Sequence, residues 1–407
     1  MPRAGCKYRV LVAVGAIVIL VSSTSSTAQA RARRAQPTLT IGHLATESSV
    51  FSGRSTESRD VLDAWVKWRN AHGGINGHPV KMIAKDDHGD AETAQAAVKE
   101  LVESDKVLAI VGENAARNDY AWQQYTKDQR TPIIGGNPYS LWWLANPMWY
   151  PASTTIFSML YGQVYAAKQA GASSIGLLWC SDDPQCQQAV AVFRSNAKAV
   201  GLDFVFEQGA PATAANYTAE CVAAKKSGAE SFFVQGTVPM GLTVIRDCAR
   251  QNYDPKWVTS QGTLGTNAFK VRGFRGAVGD MSNFPFFKRY PQNKRFFEAL
   301  ERYHPDYLNG KKVLTQISSI TWSSAEVFAR AMQIATRSND NPGRQDLIKA
   351  LATFKDETLG GLVPPLTYGD GTSANPQVKC FWYVELVAKP KPHFVSPYGM
   401  KTVCQPS

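Results

Sequence analysis

The chain has no apolar run of the ~20 residues that a membrane-spanning helix needs. Val10 to Val21 supplies only twelve, between a basic start (Arg3, Lys7, Arg9) and the small-x-small triplet Ala28-Gln29-Ala30. That order reads as an export signal over residues 1–30, so the mature chain is expected to begin near Arg31, in the periplasm or outside the cell. No cysteine directly follows the apolar core, and no lipid anchor is expected. Other absences narrow the chemistry. No Walker-type phosphate loop occurs, and "GASSIG" at 171–176 precedes a strand instead of following one, which is wrong for dinucleotide binding. No G-x-S-x-G elbow is present for a serine nucleophile. Lys and Arg are dispersed, without a nucleic-acid signature, so no nucleic-acid partner is expected. The formal charge is +11 and falls to +8 once the leader's three basic residues are gone. A basic balance of that kind favours solubility and mild attraction to anionic surfaces.

Adjacent carboxylates, Asp86-Asp87 and Asp182-Asp183, are read as turn or cap residues. No catalytic residue and no cofactor is assigned. The stretch "NAHGGINGHPVKMIAKDDHGD" concentrates His72, His78, Asp86, Asp87, His88 and Asp90 within 70–90, which raises the question of a metal. Its glycines and Pro79 read as a turn, and Val80 to Ala84 as a strand; a turn and a strand scatter such side chains, so no metal is expected.

The cysteines are the next feature. Once Cys6 is removed with the leader, Cys180, Cys186, Cys221, Cys248, Cys380 and Cys404 remain. An even set in an oxidising compartment implies disulfides, although six cysteines allow about fifteen connectivities. Local order favours Cys180 with Cys186, Cys221 with Cys248, and Cys380 with Cys404. All six being plausibly paired disfavours a cysteine nucleophile.

About 377 mature residues at 44% hydrophobic content can bury more than one core. From Thr38 short apolar runs alternate with amphipathic segments. "LTIGHLA", "PVKMIAK", "VLAIVG" and "TPIIGG" read as strands. "TESRDVLDAWVKWRNA", "DAETAQAAVKELVES" (opened by Asp90) and "NAARNDYAWQQYTKDQR" (capped by Asn114) read as helices. A second run of the same kind extends from Thr155 to "KWVTSQ". The α/β class with two doubly wound, Rossmann-like lobes follows. "GNPYSLWWLANPMWYPAST" reads as an irregular crossing between them. Trp65 and Trp68 belong to an apolar helical stripe and are expected in the core. Trp142 and Trp143 follow a strand-end loop and are candidates for stacking on a planar solute.

From "TIGHLATESSVFSG" to "DKVLAIVG" the chain resembles the opening lobe of the leucine/isoleucine/valine-binding family of extracytoplasmic solute-binding proteins, with the type I periplasmic binding fold. The residues that carry the resemblance are Asn70, Gly73, Gly74, Ile75, Gly77 and the closing Asp86-Asp87. It implies a hinge, an interlobe cleft, capture of a small-molecule solute, ABC permease subunits in the membrane as partners, and a monomer. The expected division is 38–151 plus 283–360 for the first lobe and 152–282 plus 361–407 for the second. Carried over one position at a time, the ligand set is Phe51, Ala115, Ala116, Arg117, Asn137, Tyr139, Asp182, Thr237 and Gln261. Ala116 stands where the family commonly has a serine; helix-start amides and Arg117 would still favour an anion. Gln261 is neutral where the amino-acid binders tend to have an acid, so the solute is expected to be amino-acid-like, an amide, or an aromatic or other organic acid. A ligand sensor of the same fold, and a secreted α/β enzyme, are the alternatives.

Overall fold

The computed structural model describes residues 36–49, 56–115, 118–259, 271–388 and 391–406, with a few isolated residues before them. The export signal expected over 1–30 falls almost wholly outside the described residues. The fold is that of the unit Gln36–Ser407. Among the described residues no helix is long and apolar enough to cross a membrane.

The first sheet holds five parallel strands in the order β2-β1-β3-β4-β5, namely β1 (Leu39–Ala45), β2 (Val80–Asp86), β3 (Ile110–Glu113), β4 (Ile133–Gly136) and β5 (Trp149–Tyr150). Both faces are covered, as a parallel sheet requires. On one side lie α1 (Glu57–Ala71) and the later α9 (Gln316–Ala335), where Val61, Trp65, Trp322 and Phe328 meet Ile41, Val111 and Ile134. On the other, α2 (Ala91–Glu103) brings Val98 and Leu101 against Leu44, Ile110 and Ile133. Asp90 opens α2 as expected, accepting from Thr93 N at 2.8 Å and Thr93 Oγ1 at 2.7 Å, which satisfies a first-turn N–H that has no partner within the helix.

The second sheet is mixed. Strands β6 (Ser174–Cys180), β7 (Asp203–Ala210), β8 (Ser231–Gln235), β9 (Lys256–Thr259) and β10 (Val278–Met281) are parallel. The last strands, β11 (Cys380–Val387), β12 (His393–Val395) and β13 (Val403–Cys404), join it antiparallel beside β10. Helices α4 (Ile156–Gln169) and α5 (Pro184–Ala199) cover one face, and α6 (Thr218–Lys226) and α7 (Val238–Arg250) the other. The remaining helices, α8 (Lys294–Tyr303) and α10 (Arg344–Leu351), pack beside α1 and α9 respectively.

Three disulfides are present in the order-favoured pairing: Cys180 with Cys186, Cys221 with Cys248, and Cys380 with Cys404. They close the loop after β6, tie α6 to α7, and tie β11 to β13.

Two expectations change. The segment after β3 is not one helix from Asn114. Asn114 continues the sheet in a bridge to Ala45, a short 3-10 turn follows at Asp119–Ala121, and α3 begins only at Gln123, ending at Asp128. Strand pairing therefore outcompetes the cap. The segment expected to cross between lobes first returns to the first sheet as β5; the crossing itself is 151–155. There it is tied to two other crossing segments: Thr154 N donates to Ser282 O at 3.1 Å, Thr155 N to Val378 O at 3.2 Å, and Asn283 Nδ2 to Ala152 O at 2.9 Å.

Helix α9 is buried along most of its length although rich in Ser and Thr. Its hydroxyls bond back to its own carbonyls, Ser319 to Gln316 O at 2.9 Å and Ser324 to Ile320 O at 2.8 Å, so burial leaves them satisfied. Small side chains let the helix approach the strand ends closely. Gly135, at φ +57°, faces it so tightly that a Cβ there would lie 2.0 Å from Ser324 Oγ and 2.6 Å from Ala152 Cβ. Gly135→Ala combines that clash with a left-handed backbone, and we expect a loss of at least ~2 kcal/mol in denaturant unfolding. Replacing Cys221 and Cys248 together by alanine, which opens a loop spanning 27 residues, is expected to cost about 2–4 kcal/mol in the same measurement.

Candidate functional site

In open parallel sheets, ligand-binding loops spring from the carboxyl ends of the strands. At that end of the first sheet the loops are held by buried carboxylates. Asp86 Oδ1 accepts from the backbone N–H groups of Glu47 and His88, both at 2.9 Å, joining the loops after β1 and β2. Asp87, fully buried, accepts from Gly89 N at 2.9 Å and Asn118 Nδ2 at 2.7 Å, joining the loops after β2 and β3. Glu113 curls under its own loop, Oε2 accepting from Ala115 N at 2.9 Å, while its carbonyl receives Asn137 N at 2.9 Å and so links β3 to β4. Burial, with Asp119 and Asp87 nearby, pushes the Glu113 carboxyl up to about 8. Burial also raises Asp119, to about 6. Burial thus favours the neutral form of the Glu113 carboxyl.

Beneath the loops, His43 of β1 is fully buried, with Nδ1 3.1 Å from Val111 O and Nε2 3.2 Å from Ser58 Oγ. Nδ1 can only donate to the carbonyl, and because burial disfavours the charged ring, Nε2 is left to accept from the hydroxyl. Burial lowers its pKa from the ordinary 6.5 to about 4. Glu57, at the start of α1, accepts from Thr315 N and Thr315 Oγ1, both at 2.7 Å, and so binds the starts of α1 and α9 together.

The loop after β4 spans both sheets. Asn137 Oδ1 accepts from Tyr139 N at 3.1 Å, and Asn137 O from Trp143 Nε1 at 2.8 Å. Trp143 packs edge-on against Trp149 in the first sheet's core. Tyr139, Leu141 and Leu144 instead pack against the cluster built by α4, α5 and the second sheet. At the carboxyl end of that second sheet, Asp182 accepts from Ala212 N at 3.1 Å, tying the loop after β6 to the one after β7. Thr237 caps α7 through Met240 N at 3.3 Å.

Over residues 38–389 the sequence matches a known family, described as periplasmic binding protein. The chain belongs to that family. Among curated proteins, no sequence matches it closely enough to count as a relative. Solved structures share the fold at low identity. One is an ABC-transporter solute-binding protein from R. palustris in complex with 4-hydroxybenzoate, with 17% identity, coverage of 91% of this chain and 98% of that one, and TM-score 0.70. Another is a solute-binding protein from Rhodopseudomonas palustris HaA2 in complex with p-hydroxybenzoic acid, with 18% identity, 91% and 98% coverage, and TM-score 0.70. A third is a possible leucine/isoleucine/valine-binding protein from Rhodopirellula baltica SH 1, with 16% identity, 89% and 96% coverage, and TM-score 0.71.

In this periplasmic binding protein the expected ligand positions divide into three groups. Ala115, Asn137 and Tyr139 come together at the end of the first sheet, and Asp182 and Thr237 stand at the same end of the second. Phe51, Ala116, Arg117 and Gln261 lie outside the described residues. Trp143 is not a stacking residue: it is buried, and its N–H anchors the loop. Trp142 is half-buried and donates to Asp119 Oδ1 at 3.2 Å. Trp65 and Trp68 lie in the core, as their helical stripe implied.

The clustered histidines do not converge. His72 stacks on Trp68 and contacts its carbonyl, and His78 contacts Pro37 O. His88 meets Ser48 Oγ at 2.6 Å and Asp86 Oδ2 at 3.2 Å, but both through Nδ1. A serine hydrolase needs the hydroxyl on one ring nitrogen and the carboxylate on the other, so this trio lacks the relay. Among the described residues, Cys180, Asp183 and Cys186 form the one group of three spaced for a metal, and the two thiols are joined as a disulfide. Sequence reasoning missed Glu113, Asn118 and His43 as loop supports. A signal existed in the ionisable residues set inside the apolar strands "TIGHLA" and "LAIVGE".

His43 yields a pH prediction. Its folded value lies below the ordinary one, so its contribution to stability is complete above pH 6.5 and is lost as pH falls toward 4. The loss is on the order of 3 kcal/mol for a shift of this size. Denaturant unfolding between pH 7 and 4 should show His43→Gln with a flatter acid limb than the parent. An identical limb would mean that the ring does not remain neutral.

Proposed function

We propose that this chain is the extracytoplasmic receptor of an ABC importer, exported by its leader, acting as a monomer, and delivering a small organic solute to permease subunits in the membrane. In this reading 38–151 with 283–360, and 152–282 with 361–407, are two lobes that close on the solute about the crossing segments. Hinge closure of this kind is the usual way such binding proteins capture ligands. The observation that carries the proposal is the loop after β4. Its indole anchors sit in the first sheet's core while Tyr139 reaches the second sheet's helices, so a solute at the strand ends would touch both lobes through one loop.

The ligand set is Phe51, Ala115, Ala116, Arg117, Asn137, Tyr139, Asp182, Thr237 and Gln261. Arg117 would hold a carboxylate, and Tyr139 would lie along an aromatic ring. The complexes of two structural neighbours with 4-hydroxybenzoate support an aromatic acid over leucine, as does the neutral Gln261.

Thermal unfolding of the mature, disulfide-bonded protein against 4-hydroxybenzoate, other aromatic acids, amides, urea, polyols and branched-chain amino acids tests this. A true ligand at a hundred times its Kd stabilises by about 2.7 kcal/mol. The expected result is a clear rise with an aromatic acid and none with leucine, with affinity about tenfold or more weaker in Tyr139→Ala, since a buried aromatic contact carries at least that much. A rise with leucine alone would overturn the ligand class. No rise with any organic solute would count against capture.

A further inference from the structure

The α4 face of the second sheet is apolar along most of its height and then turns polar. Register sets Phe233 of β8, Val258 of β9 and Val278 of β10 side by side, all in the cluster under α4. Two residues further along a strand the same face recurs. There β8 presents Gln235 and β10 presents Asp280, with Trp179 of β6 paired to Gln235 and Tyr383 of β11 paired to Asp280. From above, α4 lies so close that a Cβ on Gly162 would stand 2.7 Å from the Asp280 Cβ. Gln163 follows in the helix. Asp280 and Gln163 are 0% exposed and Gln235 9%.

Buried polar atoms are almost always hydrogen-bonded. Here both oxygens of Asp280, both polar atoms of Gln163, Gln235 Oε1 and Trp179 Nε1 have no hydrogen-bond partner among the described residues. The set is rich in oxygen acceptors and includes one carboxylate and two neutral amides. No ion pair of the described residues reaches Asp280, and burial holds its carboxyl well above the ordinary carboxylate range, so that it ionises only beside a compensating charge. A divalent ion would leave excess positive charge in this layer, whereas a monovalent one balances Asp280. Hard oxygen ligands suit alkali cations, and the same oxygens would accept the N–H groups of ammonium.

We propose that Asp280, Gln163 and Gln235 form a buried site for a small monovalent cation between α4 and the second sheet. The site lies beneath the loops assigned to the solute, Gln235 being two residues before Thr237. It sits at the root of the crossing segments: Ser282 and Asn283 follow Asp280 by two and three residues and hold Thr154 and Ala152. An ion there joins the first helix after one crossing to the strand that leads into another.

The test is thermal unfolding of the mature, disulfide-bonded protein in potassium, sodium, ammonium and choline chlorides at matched ionic strength. At least one small cation should raise the midpoint saturably above the choline value, as a ligand of the folded state must. Potassium or sodium acting alone would identify oxygen coordination, ammonium acting alone N–H donation, and either supports the site. Asp280→Asn should abolish the increment, and Gln163→Met should weaken the apparent affinity about tenfold or more, the effect of losing one charge-assisted contact. Asp280→Asn keeps shape and removes a buried ionisable group, so it should fold; should it not, Gln163→Met and Gln235→Met carry the same comparison. Equal behaviour in small and bulky cations, or a full cation response in the variants, overturns the proposal. Aromatic-acid binding, read separately, stands or falls without it.

Discussion

The carboxylate of Asp87 is the point on which the carboxyl end of the first sheet depends. It is fully buried and therefore costly unless paired, and it is satisfied by one backbone N–H of its own loop and by the side-chain amide of Asn118 on the next. Asp86 makes the corresponding connection to the loop after β1. Glu113 extends the chain of contacts to the loop after β4 through its carbonyl. Four loops that surround one end of a parallel sheet are thus held in register by three acidic residues, Asp86, Asp87 and Glu113. Each accepts N–H groups that would otherwise be left without partners in a desolvated place.

These anchors work only because the sheet is pressed against a helix of small side chains. α9 brings Thr321 and Ser324 up to Gly112 and Gly135, both left-handed in backbone. A helix of large aliphatic residues would stand further off and would not allow those turns. Glu57 adds a second restraint by accepting from Thr315 at the start of α9 while opening α1. The starts of α1 and α9 are thereby tied together. The three segments that run between the sheets are joined to one another by the backbone N–H groups of Thr154 and Thr155 and by the side-chain amide of Asn283.

Much of this was legible in the chain. Alternating apolar runs and amphipathic segments located the strands and helices, because burial on both faces of a parallel sheet leaves strands nearly continuously apolar. The glycine turn at 73–77 and the closing Asp86-Asp87 carried the family resemblance. Local order was also enough to find three disulfides. Less legible were the residues whose role is set by a distant partner. Trp143 lies beside a binding loop in sequence, yet its ring belongs to the core because Trp149 returns to the sheet beneath it. Asn114 has the look of a helix cap, but a bridge to Ala45 claims it.

The amino-acid sequence by itself determined the α/β class, the positions of most elements and the likeness to the solute-binding family. Those properties follow from periodicity, turn chemistry and short motifs, which act over a few residues. Tertiary structure alone decided that β11 to β13 join the second sheet antiparallel, that Tyr139 reaches from one sheet's loop to the other's helices, and that Gln235 and Asp280 fall on one face of the second sheet. Those depend on strand register and on contacts between residues far apart in the chain, and no local pattern encodes which distant side chain will remove another from water.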